Sequence, residues 1–318
     1  MSDFHHVTVL LHETVLALNP KRGGIYLDGT AGGGGHTALL LKEILHEGTI
    51  YALDRDPDAI AALSQKFADE PAVTILKGNF FQAAELLPKV QLDGVLLDLG
   101  VSSHQLDTPE RGFSFHTEAA LDMRMGQEGV TAAELINTLD EHSLRKILWD
   151  YAQEKFSGSI AKAIVRQRES EAITTTTQLA ELIAGAVPAA YRREGHPARK
   201  TFMALRYACN GELDGLEEAL TSLFHMLKPG GRLAVITFNS LEDAAMKRVS
   251  KRLAAGCECP PEFPVCVCGK RPQAKMIKPI LPSKKEVEEN PRSRSAKLRI
   301  LEQVCSLEQV CSPEQTQA

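Results

Sequence analysis

A run of four glycines, Gly32–Gly35, constrains the fold of this chain more than any other sequence feature. It lies in the segment Asp28-Gly-Thr-Ala-Gly-Gly-Gly-Gly-His36, which follows a strand-like stretch, Gly24–Asp28, and precedes a helix-like stretch, His36–Glu47. A backbone without Cβ atoms can pass close to a ligand, and the first amides of the helix are free to bind one. In parallel α/β sheets, such a turn lies at the carboxyl ends of the strands, where cofactors bind.

The glycine run leaves several interpretations open. Dinucleotide binding is one, but the G-x-G-x-x-G pattern does not fit, because Thr37 takes the place of its last glycine. A phosphate-binding P-loop is excluded, since no Gly-Lys-Ser/Thr follows. A tight turn without a ligand is the structural alternative.

Strand and helix signals alternate on both sides of this loop. Further strand-like segments are Thr49–Asp54, Ala72–Leu76, Leu92–Leu99, Arg232–Phe238 and Ala296–Glu302. Leu92–Leu99 is apolar almost throughout, as a strand covered on both faces must be. The alternation predicts an α/β fold with a doubly wound, Rossmann-like parallel sheet.

The alternation stops between Gly100 and Gly211. The roughly 110 residues there have helical spacing and no convincing strand, far more than a crossover needs. We therefore expect a sheet domain at 1–104 and 211–302, with a helical domain inserted at 105–210. The sequence LEQVCS occurs twice near the end of the chain, at 301–306 and 307–312, and residues 303–318 are expected to form a disordered tail.

Composition excludes several protein classes. Hydrophobic residues make up 43% and charged residues 24%, so the chain is not mostly disordered. No apolar run approaches the roughly 18 residues of a membrane span, and the start lacks the pattern of a signal peptide, so we expect a cytoplasmic protein.

Seven cysteines without a secretory signal indicate reduced thiols or a metal site rather than disulfides. Cys257, Cys259, Cys266 and Cys268 could form a Cys₄ zinc site. Their C-x-C spacing is less typical of zinc than C-x₂-C, and thiols without metal remain the alternative, so no metal site is predicted.

Charge is uneven along the chain, although the net charge is only −5. Residues 270–299 contain ten Lys or Arg against three Glu, and a second basic stretch runs from Arg192 to Arg206. Charge clusters alone indicate a solvated surface. They indicate a polyanion partner only where another observation does so too.

Acidic and aromatic side chains follow the predicted strands. Asp54 ends the second strand, where this fold binds ribose hydroxyls. The alternative for Asp54 is a helix cap before Pro57. Phe80 follows the third strand and could flank an adenine ring, although a lone Phe is more often a core residue. Asp98 ends the fourth strand, where a carboxylate is costly to bury without a partner, and Gln105 follows it.

Several blocks of this sequence resemble those of the RsmH (MraW) family of S-adenosylmethionine-dependent ribosomal RNA cytidine N4-methyltransferases. The resemblance spans nearly the whole chain, from His6 to Arg299. Its blocks are Tyr26-Leu-Asp-Gly-Thr with Gly34-Gly-His36, Asp54-Arg-Asp-Pro57, Leu97-Asp-Leu-Gly-Val-Ser-Ser103, Glu110-Arg-Gly-Phe-Ser-Phe115, Leu121-Asp-Met-Arg-Met125, His196-Pro-Ala-Arg-Lys-Thr-Phe202, Ser240-Leu-Glu-Asp243 and Asn290-Pro-Arg-Ser-Arg-Ser295. One departure is Asn239, where the family usually has His.

The resemblance implies S-adenosylmethionine as cofactor and small-subunit (16S) ribosomal RNA as partner. The cofactor-binding positions that it implies are Gly34, Gly35, His36, Asp54, Phe80, Asp98 and Gln105. Asp98 is also the candidate catalytic residue. Arg199, Lys200, Arg292 and Arg294 are the expected phosphate contacts, and the inserted domain is expected to recognise the RNA.

Two other functions remain as alternatives. One is a non-catalytic RNA-binding assembly factor on a methyltransferase scaffold, against which the intact glycine loop with Asp54 and Asp98 argues. The other is an NAD-dependent oxidoreductase, disfavoured by the missing third glycine.

Overall fold

Seven strands form one mixed sheet in the computed structural model, which describes residues 8–193, 195–256, 259–260, 262–265, 267–268 and 270–304. The sheet order is β3-β2-β1-β4-β5-β7-β6. The strands are β1 Ile25–Asp28, β2 Thr49–Asp54, β3 Val73–Lys77, β4 Leu92–Asp98, β5 Leu227–Thr237, β6 Ala274–Ile280 and β7 Lys297–Gln303.

The first five strands are parallel, and β7 runs antiparallel to both β5 and β6. The strand order reverses between β1 and β4, where Asp28 of β1 pairs with Leu96 of β4. Ligands of such sheets bind beyond the carboxyl ends of the strands at this reversal. The doubly wound sheet predicted from the sequence is thereby confirmed, with an antiparallel pair added at one edge.

Burial explains which strands the sequence predicted. In β4, Val95, Leu96 and Leu97 are all inaccessible to solvent, as expected for a central strand covered on both faces. The edge strand β6 was not predicted. It reads Ala-Lys-Met-Ile-Lys-Pro-Ile, and most of its side chains are exposed or half-buried, so it lacks the continuous apolar run that marks its neighbours.

Fourteen helices occur among the described residues. They are α1 Leu11–Ala17, α2 Gly35–Glu43, α3 Pro57–Lys66, α4 Ala83–Leu86, α5 Ser103–Asp107, α6 Ala132–Thr138, α7 Glu141–Ala152, α8 Ser157–Arg168, α9 Thr176–Ala186, α10 Ala189–Arg193, α11 Ala198–Asn210, α12 Leu216–His225, α13 Ser240–Ala254 and α14 Lys284–Glu289. Several begin at side-chain caps, such as Asp56, which accepts a hydrogen bond from the Asp58 amide ahead of α3.

The chain divides into two compact units. The sheet unit comprises residues 8–100 and 215–304 of the described chain and contains all seven strands. Its core includes Leu40 of α2, Leu63 of α3 and Ile236 of β5, each inaccessible to solvent.

The helical unit comprises Val101–Asp214 and has its own core. Ile136, Leu148, Ile160, Leu179 and Leu205, from five different helices, are at most 1% exposed. Ala120 and Thr175 form an isolated antiparallel bridge in this unit, and none of the seven strands lies there.

The expected tail at 303–318 falls almost wholly outside the described residues, apart from Gln303, the last residue of β7, and Val304. Among the described helices, none combines the length and the apolarity that crossing a membrane requires.

Candidate functional site

Three aspartates mark the carboxyl ends of neighbouring parallel strands: Asp28 on β1, Asp54 on β2 and Asp98 on β4. The β1–β4 edge is also held by a side chain, because the amide of Asp98 donates a 2.6 Å hydrogen bond to Oγ1 of Thr30. The structure thus places Asp98 beside the loop that leaves β1, as expected from the sequence.

Asp28 fastens the start of the glycine loop to α2. Its Oδ2 accepts a 2.7 Å hydrogen bond from Oγ1 of Thr37, and its Oδ1 accepts one of 3.3 Å from the amide of Thr30. Burial raises the pKa of Asp28 to about 6. Its contacts within the chain indicate a structural role, which the sequence did not distinguish.

The glycine loop is held from both sides. The amide of Gly32 donates to Oδ2 of Asp54 at 2.8 Å. Lys66 of α3 reaches back and donates from Nζ to the carbonyl oxygens of Gly33 and Gly34, at 2.9 and 2.8 Å. The loop is therefore shaped before any ligand arrives.

Packing within the chain explains the glycines at 34 and 35. Gly34 caps α2 in the left-handed conformation, with φ of 70°, and a Cβ there would lie 2.7 Å from Phe67. A Cβ on Gly35 would lie 2.0 Å from Oγ1 of Thr8. Gly33 differs, because a Cβ there would have no atom within 4 Å. Gly33 thus presents the open face of the loop.

His36 turns its ring into the protein. The side chain is only 4% exposed, and Nε2 lies 3.2 Å from the carbonyl oxygen of Val9. A contact of His36 with the cofactor would therefore be made by its backbone, in the first turn of α2, and not by its ring.

Asp54 uses both carboxylate oxygens to shape the loop. Oδ2 accepts from Gly32, and Oδ1 accepts a 2.9 Å hydrogen bond from the amide of Asp56. Burial raises the pKa of Asp54. Because each carboxylate oxygen has two acceptor positions, these bonds leave room for the hydroxyl groups of a ribose.

Phe80 stands in a short 3₁₀ turn, Phe80–Gln82, just beyond β3. Its ring meets that of Phe81 edge to face, with centroids 4.7 Å apart. The side chain is half-buried, and its Cβ lies 3.2 Å from the position that a Cβ on Gly29 would take. Phe80 therefore offers an apolar wall next to the loop.

Asp98 is the most unusual of these groups. Its Oδ1 is buried and has no hydrogen-bond partner among the residues that the structure describes. Burial, with the nearby carboxyls of Asp28 and Glu242, raises the pKa of Asp98 to about 8. A buried acceptor without a partner costs free energy, and such perturbed carboxyls cluster at functional sites.

The segment Ser240-Leu-Glu-Asp243 builds the start of α13. Glu242 accepts hydrogen bonds from the amides of Phe238 and Asn239, at 2.9 and 3.1 Å. Asn239 accepts from the amide of Leu241 at 2.8 Å. Asn239 is thus the N-cap of this helix, a role in which Asn is favoured.

Asp243 joins α13 to β7 through ion pairs with Arg299 and Lys297. These cations and Lys247 lower the pKa of Asp243 to about 2 despite its burial. Neither Glu242 nor Asp243 was predicted to act, and the contribution of Glu242 to the electrostatics of Asp98 had no signal in the sequence.

Gln105 belongs to the helical unit. Its Oε1 accepts a 3.0 Å hydrogen bond from the backbone amide of Ser102, and its own backbone amide donates one of 3.2 Å to Oγ of Ser102. This pair forms a capping box at the start of α5. The structure therefore gives Gln105 and Ser102 local contacts, whereas it gathers the other predicted positions in the sheet unit.

The expected phosphate contacts differ in their exposure and in the bonds that they form within the chain. Arg199 is exposed, whereas Nζ of Lys200 donates to the carbonyl oxygen of Gln153 at 3.3 Å. Arg206, in the same basic stretch, is neutralised by Glu212 at 2.8 Å.

Arg292 and Arg294 are exposed, and their segment lies just before β7. Pro291–Ser295 forms a 3₁₀ turn, in which residues two apart point in different directions. Proline at the first position and buried Ser293 between the two arginines favour this turn over a strand entrance.

Cys257 and Cys266, two of the four candidate zinc ligands, lie outside the described residues, so the structure does not test the zinc site. Within the described part of the chain, no three His, Cys, Asp or Glu side chains are grouped as metal ligands would be.

Comparison with known proteins places this chain in a family. Residues 3–304 match the model of the MraW methylase family. The ribosomal RNA small subunit methyltransferase H of Heliobacterium mobile is 49% identical over 95% of this chain and 100% of its own. The protein of the same name from Brevibacillus brevis is 48% identical over 95% of this chain and 99% of its own.

Among solved structures, a ribosomal RNA methylase from Streptococcus thermophilus aligns over 94% of this chain and 99% of its own. Its sequence identity is 12% and the TM-score is 0.42, a similarity too low to bear on function. The family match and the close relatives confirm the resemblance seen in the motifs, and with it the methyltransferase fold and its cofactor. This chain belongs to the MraW methylase family, whose members are S-adenosylmethionine-dependent methyltransferases.

Proposed function

We propose that this chain transfers the methyl group of S-adenosylmethionine to N4 of a cytidine in small-subunit (16S) ribosomal RNA. Relatives that are 46–49% identical over 95% of the chain carry the name ribosomal RNA small subunit methyltransferase H, which supports the RNA substrate. The choice of cytidine N4 follows from the motifs that this chain shares with the family.

The observation that carries the proposal is the buried Oδ1 of Asp98, which has no hydrogen-bond partner in the described part of the chain. Leaving such a group unsatisfied costs about 1–3 kcal/mol. A donor from the cofactor or from the target amine would remove this cost. The position of Asp98, at the strand-order reversal and beside the glycine loop, is where these sheets bind ligands.

The residues of the sheet unit fit S-adenosylmethionine, which supplies a methyl group carried on a sulfonium. The open face of Gly33 and the N-terminus of α2, at Gly35 and His36, suit the amino-acid end of the cofactor. Asp54 retains acceptor positions for the ribose, and Phe80 offers an apolar wall for the adenine. In this proposal Gly34 shapes the loop, and Gln105 remains an expected cofactor contact.

The chemistry needs a base near the amine. The lone pair of cytosine N4 is delocalised into the ring, so positive charge builds on nitrogen as the new N–C bond forms. Asp98 can accept a hydrogen bond from N4–H and stabilise that charge. The pKa of Asp98 is raised to about 8, so the carboxyl is mostly protonated near neutral pH and its ionised fraction is the form that can take the amine proton. That carboxylate is a stronger base than an ordinary aspartate.

The RNA must present an unstacked base to reach a strand-end site. We propose that residues 105–210 recognise the RNA, with exposed Arg199 among the phosphate contacts. Arg292 and Arg294 remain proposed phosphate contacts on the sheet unit.

The experiment uses unmethylated small ribosomal subunits and S-adenosylmethionine labelled in its methyl group. The RNA is digested to nucleosides and analysed by mass spectrometry. The proposal expects label in N4-methylcytidine. Label on another atom or another base would contradict the N4 assignment, whereas RNA binding without any transfer would favour the non-catalytic assembly factor.

A further inference from the structure

Two segments about 80 residues apart in the sequence bring aromatic rings together on the helical unit. The ring of His196 stacks on Phe115, with centroids 4.2 Å apart and planes inclined by 13°. Phe202 of α11 supports Phe115 edge to face at 5.3 Å. The ring of His116 lies 4.5 Å from Phe115 and 5.6 Å from His196. We call Phe115, His116 and His196 the ring cluster.

The ring cluster combines a supported inner ring with exposed outer rings. Phe115 is half-buried, whereas His116 and His196 are exposed. Phe115 covers one face of His196, and His196 is nevertheless exposed. Exposing two aromatic rings in a fixed arrangement gains nothing for folding, so it suggests a surface built for a planar ligand.

The tautomer and the charge of the His196 ring favour stacking on a base. Its Nδ1 accepts a 3.3 Å hydrogen bond from the amide of Ala198, which fixes the neutral tautomer with its proton on Nε2. Burial, His116 and Arg199 lower the pKa of His196. The ring is therefore mostly uncharged at neutral pH and keeps its aromatic face.

A cation stands beside the ring cluster. Arg199 is exposed and forms no ion pair with the residues that the structure describes, and its amide donates to the carbonyl oxygen of His196 at 3.2 Å. A flat aromatic face next to an unpaired guanidinium is the combination that binds single-stranded nucleic acid, with stacking for the base and charge for the phosphate.

We propose that the ring cluster is a stacking platform for an unpaired base of the RNA substrate, with His196 as its outer face and Arg199 on the adjoining phosphate. This inference rests on the proposed function and adds a binding site for RNA in the helical unit. The face of His196 has no pattern of donors that would read one base, so the platform is expected to accept any of the four.

The test compares two substitutions of one exposed residue in the full-length protein. His196→Leu removes the aromatic face and keeps the size, whereas His196→Phe keeps a face for stacking. The affinity for protein-free small-subunit ribosomal RNA is measured by fluorescence anisotropy. We expect His196→Leu to weaken binding about tenfold and His196→Phe to retain nearly wild-type affinity. His142→Leu, at an exposed histidine of α7, is the matched control and should leave the affinity unchanged.

Calorimetry with S-adenosylmethionine shows whether each variant is still folded and binds cofactor. Wild-type affinity in His196→Leu, or equal losses in the Leu and Phe variants, would overturn the platform. A loss of affinity for assembled subunits but not for protein-free RNA would also overturn the platform, because it would indicate that this surface contacts a ribosomal protein. If the wild-type protein itself neither binds nor methylates the RNA, the proposed function fails instead.

Discussion

The carboxyl of Asp98 links stability to pH at the scale of a single residue. Its pKa is about 8 in the folded protein, against about 3.9 in an unfolded chain. Between these values the folded state holds a proton that the unfolded state has released. Stability contributed by this group therefore falls as the pH rises from about 4 through about 8.

Asp98→Asn removes this titration. We expect the variant to be more stable than the wild type by more than about 1 kcal/mol at pH 8, with the difference shrinking toward pH 5. Chemical denaturation at several pH values measures it. The matched control is Asp69→Asn, at an exposed aspartate, where the difference should not follow this pattern. A stability difference for Asp98→Asn that is constant over this range would contradict the buried, protonated carboxyl.

Asp54 combines two roles, since it braces the glycine loop and is proposed to bind ribose. Asp54→Ala removes the acceptor for Gly32 and both proposed ribose bonds. Hydrogen bonds to charged groups contribute about 1.5–3 kcal/mol, so we expect the dissociation constant for S-adenosylmethionine to rise more than about tenfold. Calorimetry measures the affinity, and a folded variant that binds as the wild type does would remove Asp54 from the site.

At the scale of elements, buried strands were predicted from the sequence more accurately than exposed ones. β2 matches its predicted bounds, Thr49–Asp54, because a buried parallel strand is a compact apolar run with clear ends. β6 was missed, since an edge strand needs only one paired side and the apolar run of this one is interrupted by Lys275 and Lys278. The 3₁₀ turn Pro291–Ser295 was not predicted either, because alternating charge does not distinguish a strand from a 3₁₀ turn.

The glycine loop offers a matched pair of substitutions. Gly34→Ala places a Cβ 2.7 Å from Phe67 and 2.9 Å from Leu63, at a φ of 70°. We expect it to destabilise the protein by about 1–3 kcal/mol. Gly33→Ala, one residue earlier, meets no atom within 4 Å and should unfold at nearly the wild-type temperature.

Thermal unfolding of the two variants tests this difference, and S-adenosylmethionine binding adds a second comparison. Because Gly33 has the open face, its Cβ should lower cofactor affinity without loss of stability. Equal stability of the two variants would show that the loop relaxes around a side chain at Gly34.

At the scale of the whole molecule, the sequence predicted the positions of the aspartates at the strand ends. It predicted less well which contacts each side chain makes there. Asp54 and Asp98 lie where the strand order places them. The inward turn of His36 and the repulsion of Asp98 by Glu242 depend on contacts with Val9 and with α13, distant in sequence. Such contacts follow from packing, which periodicity does not encode.

We propose that the sheet unit binds the cofactor and that the helical unit recognises the RNA, and a deletion can test this assignment. The sheet unit contains all seven strands, its own core and every predicted cofactor position except Gln105. Replacing 101–214 by a short Gly-Ser bridge should therefore leave a protein that folds and binds S-adenosylmethionine. The affinity should be lower than in the wild type, because Gln105 is lost with the helical unit.

The same deletion should abolish methylation of small ribosomal subunits, since it removes the ring cluster and Arg199 while keeping Asp54 and Asp98. Circular dichroism and calorimetry establish folding and cofactor binding before transfer of labelled methyl is measured. Full transfer by the trimmed protein would place RNA recognition on the sheet unit and return that role to Arg292 and Arg294. Loss of folding would show instead that the core of the sheet unit depends on the helical unit, although each has fully buried side chains of its own.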